Sequence, residues 1–160
     1  MTSTNPVHKR SLTPRRRARE YALQGLYQFL VIQRAGELSD PPLTASAISK
    51  QLGEDPAFRK CQGDLFATIF NGVIQKNQEL DALITPELDR PLTELSPVEH
   101  AAMLIGTYEL ATDLSVPYKV AINEAVELAK TFGGTDGHKY VNGVLDQLAQ
   151  KLRAAELAAN

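Results

Sequence analysis

The sequence predicts an all-α protein, a compact bundle of six or seven helices, and three observations carry that expectation. Apolar residues recur at three- and four-residue spacing through most of the chain, the mark of helices that bury one stripe. No stretch sustains a two-residue alternation of β-branched residues, and no hairpin signal joins two such runs. The connections between periodic stretches are short and bear proline or glycine, which favours neighbouring helices folding back on one another. At 160 residues the chain suits one domain burying about two thirds of its unfolded surface. That domain is expected over 13–160, preceded by a flexible basic tail over 1–12.

The tail mixes Thr, Ser, Asn and Pro with a few charges and too little apolar surface to offset its ordering entropy. Thr13 and Pro14 read as cap and first residue of a helix whose stripe is Ala22, Leu23, Leu26, Tyr27, Leu30 and Val31, ending at Gly36. Gly36 to Pro42 reads as a loop, because the paired prolines stop a helix. A short helix is expected from Leu43 to Leu52. Asp55 and Pro56 repeat the cap-then-proline start, and Phe58, Leu65, Phe66, Ile69, Val73 and Ile74 predict one long helix reaching the region of Asn77, with Leu80, Leu83 and Ile84 extending the pattern. Ser96, Pro97 and Glu99 supply a cap, a proline at the first position and a glutamate able to reach back to the cap, the clearest helix start in the chain. Apolar residues surround most of that helix through Asp113, which predicts a central buried element. The last two helices carry Ala121, Ile122, Ala125, Val126, Leu128, Ala129 and Phe132, then Val141, Val144, Leu145, Leu148 and Leu152. Between them, Gly133 and Gly134 are expected to supply the positive φ that ends a helix, and Thr135 or Asp136 to cap the next.

Charge is unevenly placed. Residues 1–20 hold six Lys or Arg against one acid, which leaves eleven against eighteen of the chain totals of 17 and 19 for the remainder. A basic start on an acidic body points to a polyanion partner for one surface. Arg15, Arg16, Arg17 and Arg19 occupy the first turns of a helix, where the dipole disfavours cations by a few tenths of a kcal/mol each, roughly. Such a placement serves an anion, or is a solvated charged face. Lys119 repeats it at a later helix start. Asp136, His138, Lys139 and Tyr140 cluster at another. Tyr140 falls just off the buried stripe, so its ring is either a boundary aromatic or a platform for a single-stranded base, worth ~1–3 kcal/mol. Asp136 reads as a helix cap that can also accept from the edge of an unpaired base. His138 packs or caps, or meets a ligand.

Enzyme chemistry finds no foothold. The run from Gly133 to Lys139 departs from a phosphate-binding loop, since His138 precedes the lysine, Tyr140 follows it and no strand leads in. Cys61 is alone, which excludes an intrachain disulfide, and His8, His100 and His138 are scattered, so neither a metal nor a cofactor is expected. No nucleophile is placed beside a base. No apolar run approaches the ~18 residues of a membrane span, and no signal-peptide layout appears, so the cytoplasm is the expected compartment.

Three stretches resemble a known family. Tyr118 to Asp146, Y-K-V-A-I-N-E-A-V-E-L-A-K-T-F-G-G-T-D-G-H-K-Y-V-N-G-V-L-D, is similar to the C-terminal signature of the NusB family of bacterial transcription antitermination factors. R-R-R-A-R-E-Y-A-L-Q-G-L-Y-Q, Arg15 to Gln28, and L-S-P-V-E-H-A-A-M-L-I-G-T-Y-E-L, Leu95 to Leu110, resemble its first and middle segments. The resemblance implies seven helices in two small subdomains sharing one core. It implies binding of boxA single-stranded RNA with NusE, a small-subunit ribosomal protein, within an RNA polymerase antitermination complex. By position, Arg15, Arg16, Arg17, Arg19, Asp136, Lys139 and Tyr140 fall on the RNA side, and Tyr27 and Glu99 on the NusE side. Tyr21, Gly25 and the Gly133-Gly134 pair stand where this chain departs from the pattern. The family includes monomers and homodimers. The competing expectation is a helical protein-interaction module without direct RNA contact.

Overall fold

A computed structural model describes residues 12–159 and contains no strand among them. The tail expected over 1–12 therefore lies outside the described residues, Leu12 excepted. The helices are α1 (Pro14–Arg34), α2 (Pro41–Gly53), α3 (Gly63–Gln75), α4 (Asn77–Ile84), α5 (Pro97–Thr112), α6 (Tyr118–Phe132), α7 (Gly137–Leu152) and the short α8 (Ala154–Ala158). Single 3₁₀ turns cover Pro56–Lys60, Thr85–Glu87 and Leu92–Glu94.

The helix starts follow side-chain chemistry. Thr13 Oγ1 accepts from the Arg16 amide at 3.1 Å, and Ser96 and Glu99 close a reciprocal capping box at 3.1 and 3.3 Å. Three expectations fail. Pro41 and Pro42 open α2 instead of preceding it, because Asp40 caps the Leu43 amide and a helix needs no N–H in its first turn. Asp55 caps only a 3₁₀ turn, and the chain is extended at Cys61 before α3 begins. Gly133 ends α6 with φ −101° and ψ −174°, an extended conformation. Its need for glycine is spatial, since a Cβ there would come within 2.6 Å of the Ala129 carbonyl oxygen. The one positive-φ glycine is Gly36, after α1.

Helix α5 is the axis of the core. Every residue from His100 to Thr107 is buried, with Glu109 and Leu110. It packs against α1, α3 and α4 on one side and α6 and α7 on the other. Gly106 sets the approach of α6 and α7, because a Cβ there would meet Leu145 Cδ1 at 2.6 Å and Ala125 Cβ at 3.1 Å. Gly25 does the same for α1 on α3, where an added Cβ would lie 2.7 Å from Phe70 Cε1. Tyr21 joins an aromatic series through Phe58, Phe66 and Phe70, with centroids 4.9, 5.1 and 5.4 Å apart. Its hydroxyl donates to Asp55 at 2.7 Å.

The buried charged side chains and His100 are paired across long sequence separations, whereas the buried Thr107 hydroxyl has no partner among the described residues. His100 Nε2 lies 2.7 Å from Asp81 Oδ1 and its Nδ1 3.2 Å from Arg34 Nη2. A guanidinium only donates, so Nδ1 is the acceptor and Nε2 carries the proton toward Asp81. Buried Arg153 donates to the carbonyls of Leu110, Glu109 and Asp113 at 2.8, 3.1 and 2.8 Å, satisfying the end of α5. It also holds Glu156, which accepts from the Tyr118 amide at the start of α6 at 2.9 Å.

Candidate nucleic-acid interface

The four arginines of α1 divide by helical position. Arg19 lies four residues before Leu23 and seven before Leu26, on the buried stripe itself. It is 4 % exposed and forms a forked ion pair with buried Glu109, from 2.9 to 3.2 Å. The expectation that Arg19 faces solvent as a phosphate ligand is corrected on that ground. Arg16, one turn earlier, is half-buried and pairs through Nη2 and Nε with Glu124 at 2.8 and 3.3 Å. That hydrogen bond, with Glu124, Glu127 and Glu20 nearby, holds the Arg16 guanidinium protonated beyond the ordinary arginine range against the opposing effect of burial. Glu124 also lies 3.6 Å from Arg19 and serves both residues. Arg15 is exposed and Arg17 half-buried. Arg15 reaches Gln62 at 3.5 Å, and Arg17 pairs with no acid among the described residues.

Two grooves flank α6. One, about 640 Å³, lies between the start of α1 and the α5–α6 connection and is lined by Thr13, Arg15, Arg16, Arg19, Val116, Val120 and Glu124, among others. The other, about 570 Å³, runs along the α6–α7 seam over Ile122 and Val126. Its rim carries Lys119, Lys130 and Lys139 with Asn123 and Asn142. His138 lines it too, and its Nδ1 is buried without a hydrogen-bond partner among the described residues. Lys119 and Val120, adjacent on the first turn of α6, face one groove each. Basic side chains thus border the grooves on both sides of this helix.

The turn before α7 differs from expectation in its bonding. Asp136 makes no side-chain cap; its carboxylate lies 3.4 Å from Lys139 Nζ, both well exposed. Tyr140 is half-buried, and its ring is covered. The Arg90 guanidinium carbon sits 4.4 Å from the ring centroid. The Tyr140 hydroxyl donates to Asp89 Oδ1 at 2.8 Å and accepts from the Asp89 amide at 3.1 Å. Desolvation first, then the hydrogen bond to the Asp89 carboxylate and its charge, push the phenol above its ordinary pKa, against the Asp89 amide. Hydrogen bonds from Arg90 and then Tyr140 hold Asp89 below the usual carboxylate range.

A separate apolar face lies on the other side of α1. Tyr27 and Val31 are 43 % and 42 % exposed. Tyr27 borders a groove of about 380 Å³ with Leu23, Gln24, Gln28, Val98 and Phe132. Glu99, beside Val98, closes its capping box and abuts Gly137, where a Cβ would approach Glu99 Oε2 to 2.5 Å. Among the described residues no cluster of His, Cys, Asp and Glu could hold a metal ion, and no helix is long and apolar enough to cross a membrane. Arg90 escaped the sequence reading because nothing local joins it to Tyr140, fifty residues on; a basic residue in a proline-bearing connection was the available signal.

Basic grooves on one flank of an all-α core, with an apolar groove on another, define a helical adaptor domain with a candidate polyanion-binding face. The NusB family model matches residues 16–150. The chain is 49 % identical to the transcription antitermination protein NusB of Ralstonia nicotianae over 162 residues, 99 % of each chain. It is 52 % identical to that of Bordetella pertussis over 145 residues, 91 % of each. A solved structure of T. maritima NusB superposes with a TM-score of 0.68 at 29 % identity, over 87 % of this chain and 92 % of that one. The chain belongs to the NusB family.

Proposed function

We propose that this chain, a transcription antitermination factor of the NusB family, binds boxA-like single-stranded RNA of ribosomal RNA leaders together with NusE and joins the RNA polymerase antitermination complex. It acts in the cytoplasm as a binding factor, without catalysis. The observation that carries this reading is the pair of grooves on either side of α6, bordered by Arg15 and Arg16 on one side and Lys119, Lys130 and Lys139 on the other. A phosphate backbone crossing α6 would meet cations in both, on a chain whose body is otherwise acidic. Arg15, Arg17, Lys119 and Lys139 supply phosphate contacts; Arg16 shares itself with Glu124; Arg19 supports the surface from beneath. Asp136, with its carboxylate exposed, is offered to a base edge.

The apolar face around Tyr27, with Glu99 at its border, is the surface given to NusE. Exposed aromatic and aliphatic side chains around a shallow groove suit a protein partner. The same face favours the second reading, a protein-interaction module without RNA contact. Titration of boxA RNA and a scrambled RNA of equal length, with and without NusE at several salt concentrations, separates the two. Preferential boxA binding that NusE strengthens is the expected result. Equal binding of both RNAs overturns the proposal, and NusE binding with no RNA effect on the α1 and α6–α7 resonances favours the module.

A further inference from the structure

Arg90 completes a closed cycle with Asp89 and Tyr140. Its Nε donates to Asp89 Oδ1 at 2.8 Å, the same oxygen that accepts from the Tyr140 hydroxyl at 2.8 Å. The Asp89 amide donates back to that hydroxyl at 3.1 Å. The guanidinium is therefore fixed over the ring, 4.4 Å from its centroid, by one carboxylate that holds both partners. Yet the side chain remains 44 % exposed.

This arrangement changes what a base meets. The covered face of Tyr140 cannot receive a base while Arg90 is in place. A guanidinium plane is itself a stacking surface for unpaired bases, as an aromatic ring is, and it adds charge and donors that a ring lacks. Holding that plane in advance removes ordering entropy that a mobile arginine would lose on binding. Lys139, adjacent to Tyr140 and on the rim of the α6–α7 groove, stands ready for the phosphate beside such a base.

We propose that Arg90 is the residue on which a single-stranded nucleobase stacks, with Tyr140 and Asp89 as the residues that position its guanidinium. The inference rests on the RNA-binding reading above. It assigns Tyr140 the role of support in place of direct contact.

The test uses the full chain with NusE and boxA RNA carrying 2-aminopurine at single positions, so that both affinity and base stacking are read. Arg90→Lys keeps the charge and loses the plane. Affinity should fall by about 5- to 150-fold, the equivalent of one stacked base, with the salt slope unchanged and the 2-aminopurine quenching lost at one position. Tyr140→Phe keeps the ring and loses the tether to Asp89, so it should reduce affinity in the same direction by a smaller factor. Arg90 is exposed on a connection, and its variants should fold with unchanged far-ultraviolet circular dichroism. Wild-type affinity and quenching in Arg90→Lys would overturn the proposal. So would Arg90→Ala binding as tightly as wild type while Tyr140→Ala binds weakly, since the base would then rest on the ring. Failure of the wild type to prefer boxA RNA, with Arg17→Ala also without effect, would instead overturn the RNA-binding reading itself.

Discussion

Four arginines within five positions look alike in composition and behave differently in space. Arg19 is the buried one, and its replacement by Ala leaves the Glu109 carboxylate uncompensated at 1 % exposure. Arg19→Ala should therefore destabilise the fold by about 3–5 kcal/mol in urea denaturation. Arg15→Ala and Arg17→Ala should change stability by about 0.5 kcal/mol or less and flatten the salt slope of RNA binding by ~0.7 each. An Arg19→Ala protein as stable as wild type would refute the pairing. The signal that separates these residues was present, because Arg19 continues the spacing of Leu23 and Leu26; its acceptor, 90 residues away, was not legible. Tyr21 offers a second residue-scale test. Desolvation, then its hydrogen bond to Asp55, push its phenol to about 12. The folded state holds this proton longer than the unfolded chain, whose tyrosines ionise at ~10. The stabilisation is thus complete below that value and is lost as pH climbs toward 12. Tyr21→Phe should remove one late-ionising tyrosine from the tyrosinate absorbance titration, with Tyr140 still shifted; a high-pH limb unaltered by that change would refute it.

Elements were legible where their ends are written in side chains. The capping box of α5 and the Thr13 cap of α1 were read directly, because each satisfies orphan amides with residues three positions away. The break before α3 was not. The helical spacing of Phe58 with Leu65 and Phe66 continues across it, while Phe58 packs on Tyr21 from a 3₁₀ turn. Gly133 misled in another way, since glycine serves close approach as well as positive φ. Close approach makes the element-scale prediction. Gly106→Ala should cost about 1–3 kcal/mol, because Leu145 and Ala125 are fully buried and cannot move aside. Thermal denaturation checks it, and an unchanged midpoint would show that the α5–α6–α7 crossing has slack. The covering of the Tyr140 ring by the Arg90 guanidinium belongs to the part that sequence spacing cannot reach: Tyr140 was readable, its partner fifty residues earlier was not.

For the molecule as a whole, the all-α class followed from helical periodicity with no strand signal, the central place of α5 from the apolar residues around most of its circumference, and the family from three motifs in order. The division into two small subdomains meets a core that runs without interruption from α1 through α5 to α7. Unfolding should accordingly be a single transition, with circular dichroism and tyrosine fluorescence tracing coincident urea curves. Separate midpoints for probes in α3 and α7 would instead establish two units of independent stability. What no local reading supplied is the polar wiring of this core, where Arg34, His100 and Asp81, or Arg153 and the end of α5, meet across distant segments.

That wiring also sets an order in time. The carbonyls that end α5 wait for Arg153, which the ribosome adds 40 to 44 residues later. Glu156, which secures the first amide of α6, comes later still, 38 residues after Tyr118. Until Arg153 and Glu156 have been joined to the chain, the end of α5 and the first amide of α6 lack these partners. A chain halted at Leu152 would hold every long helix and lack the clamp that joins them.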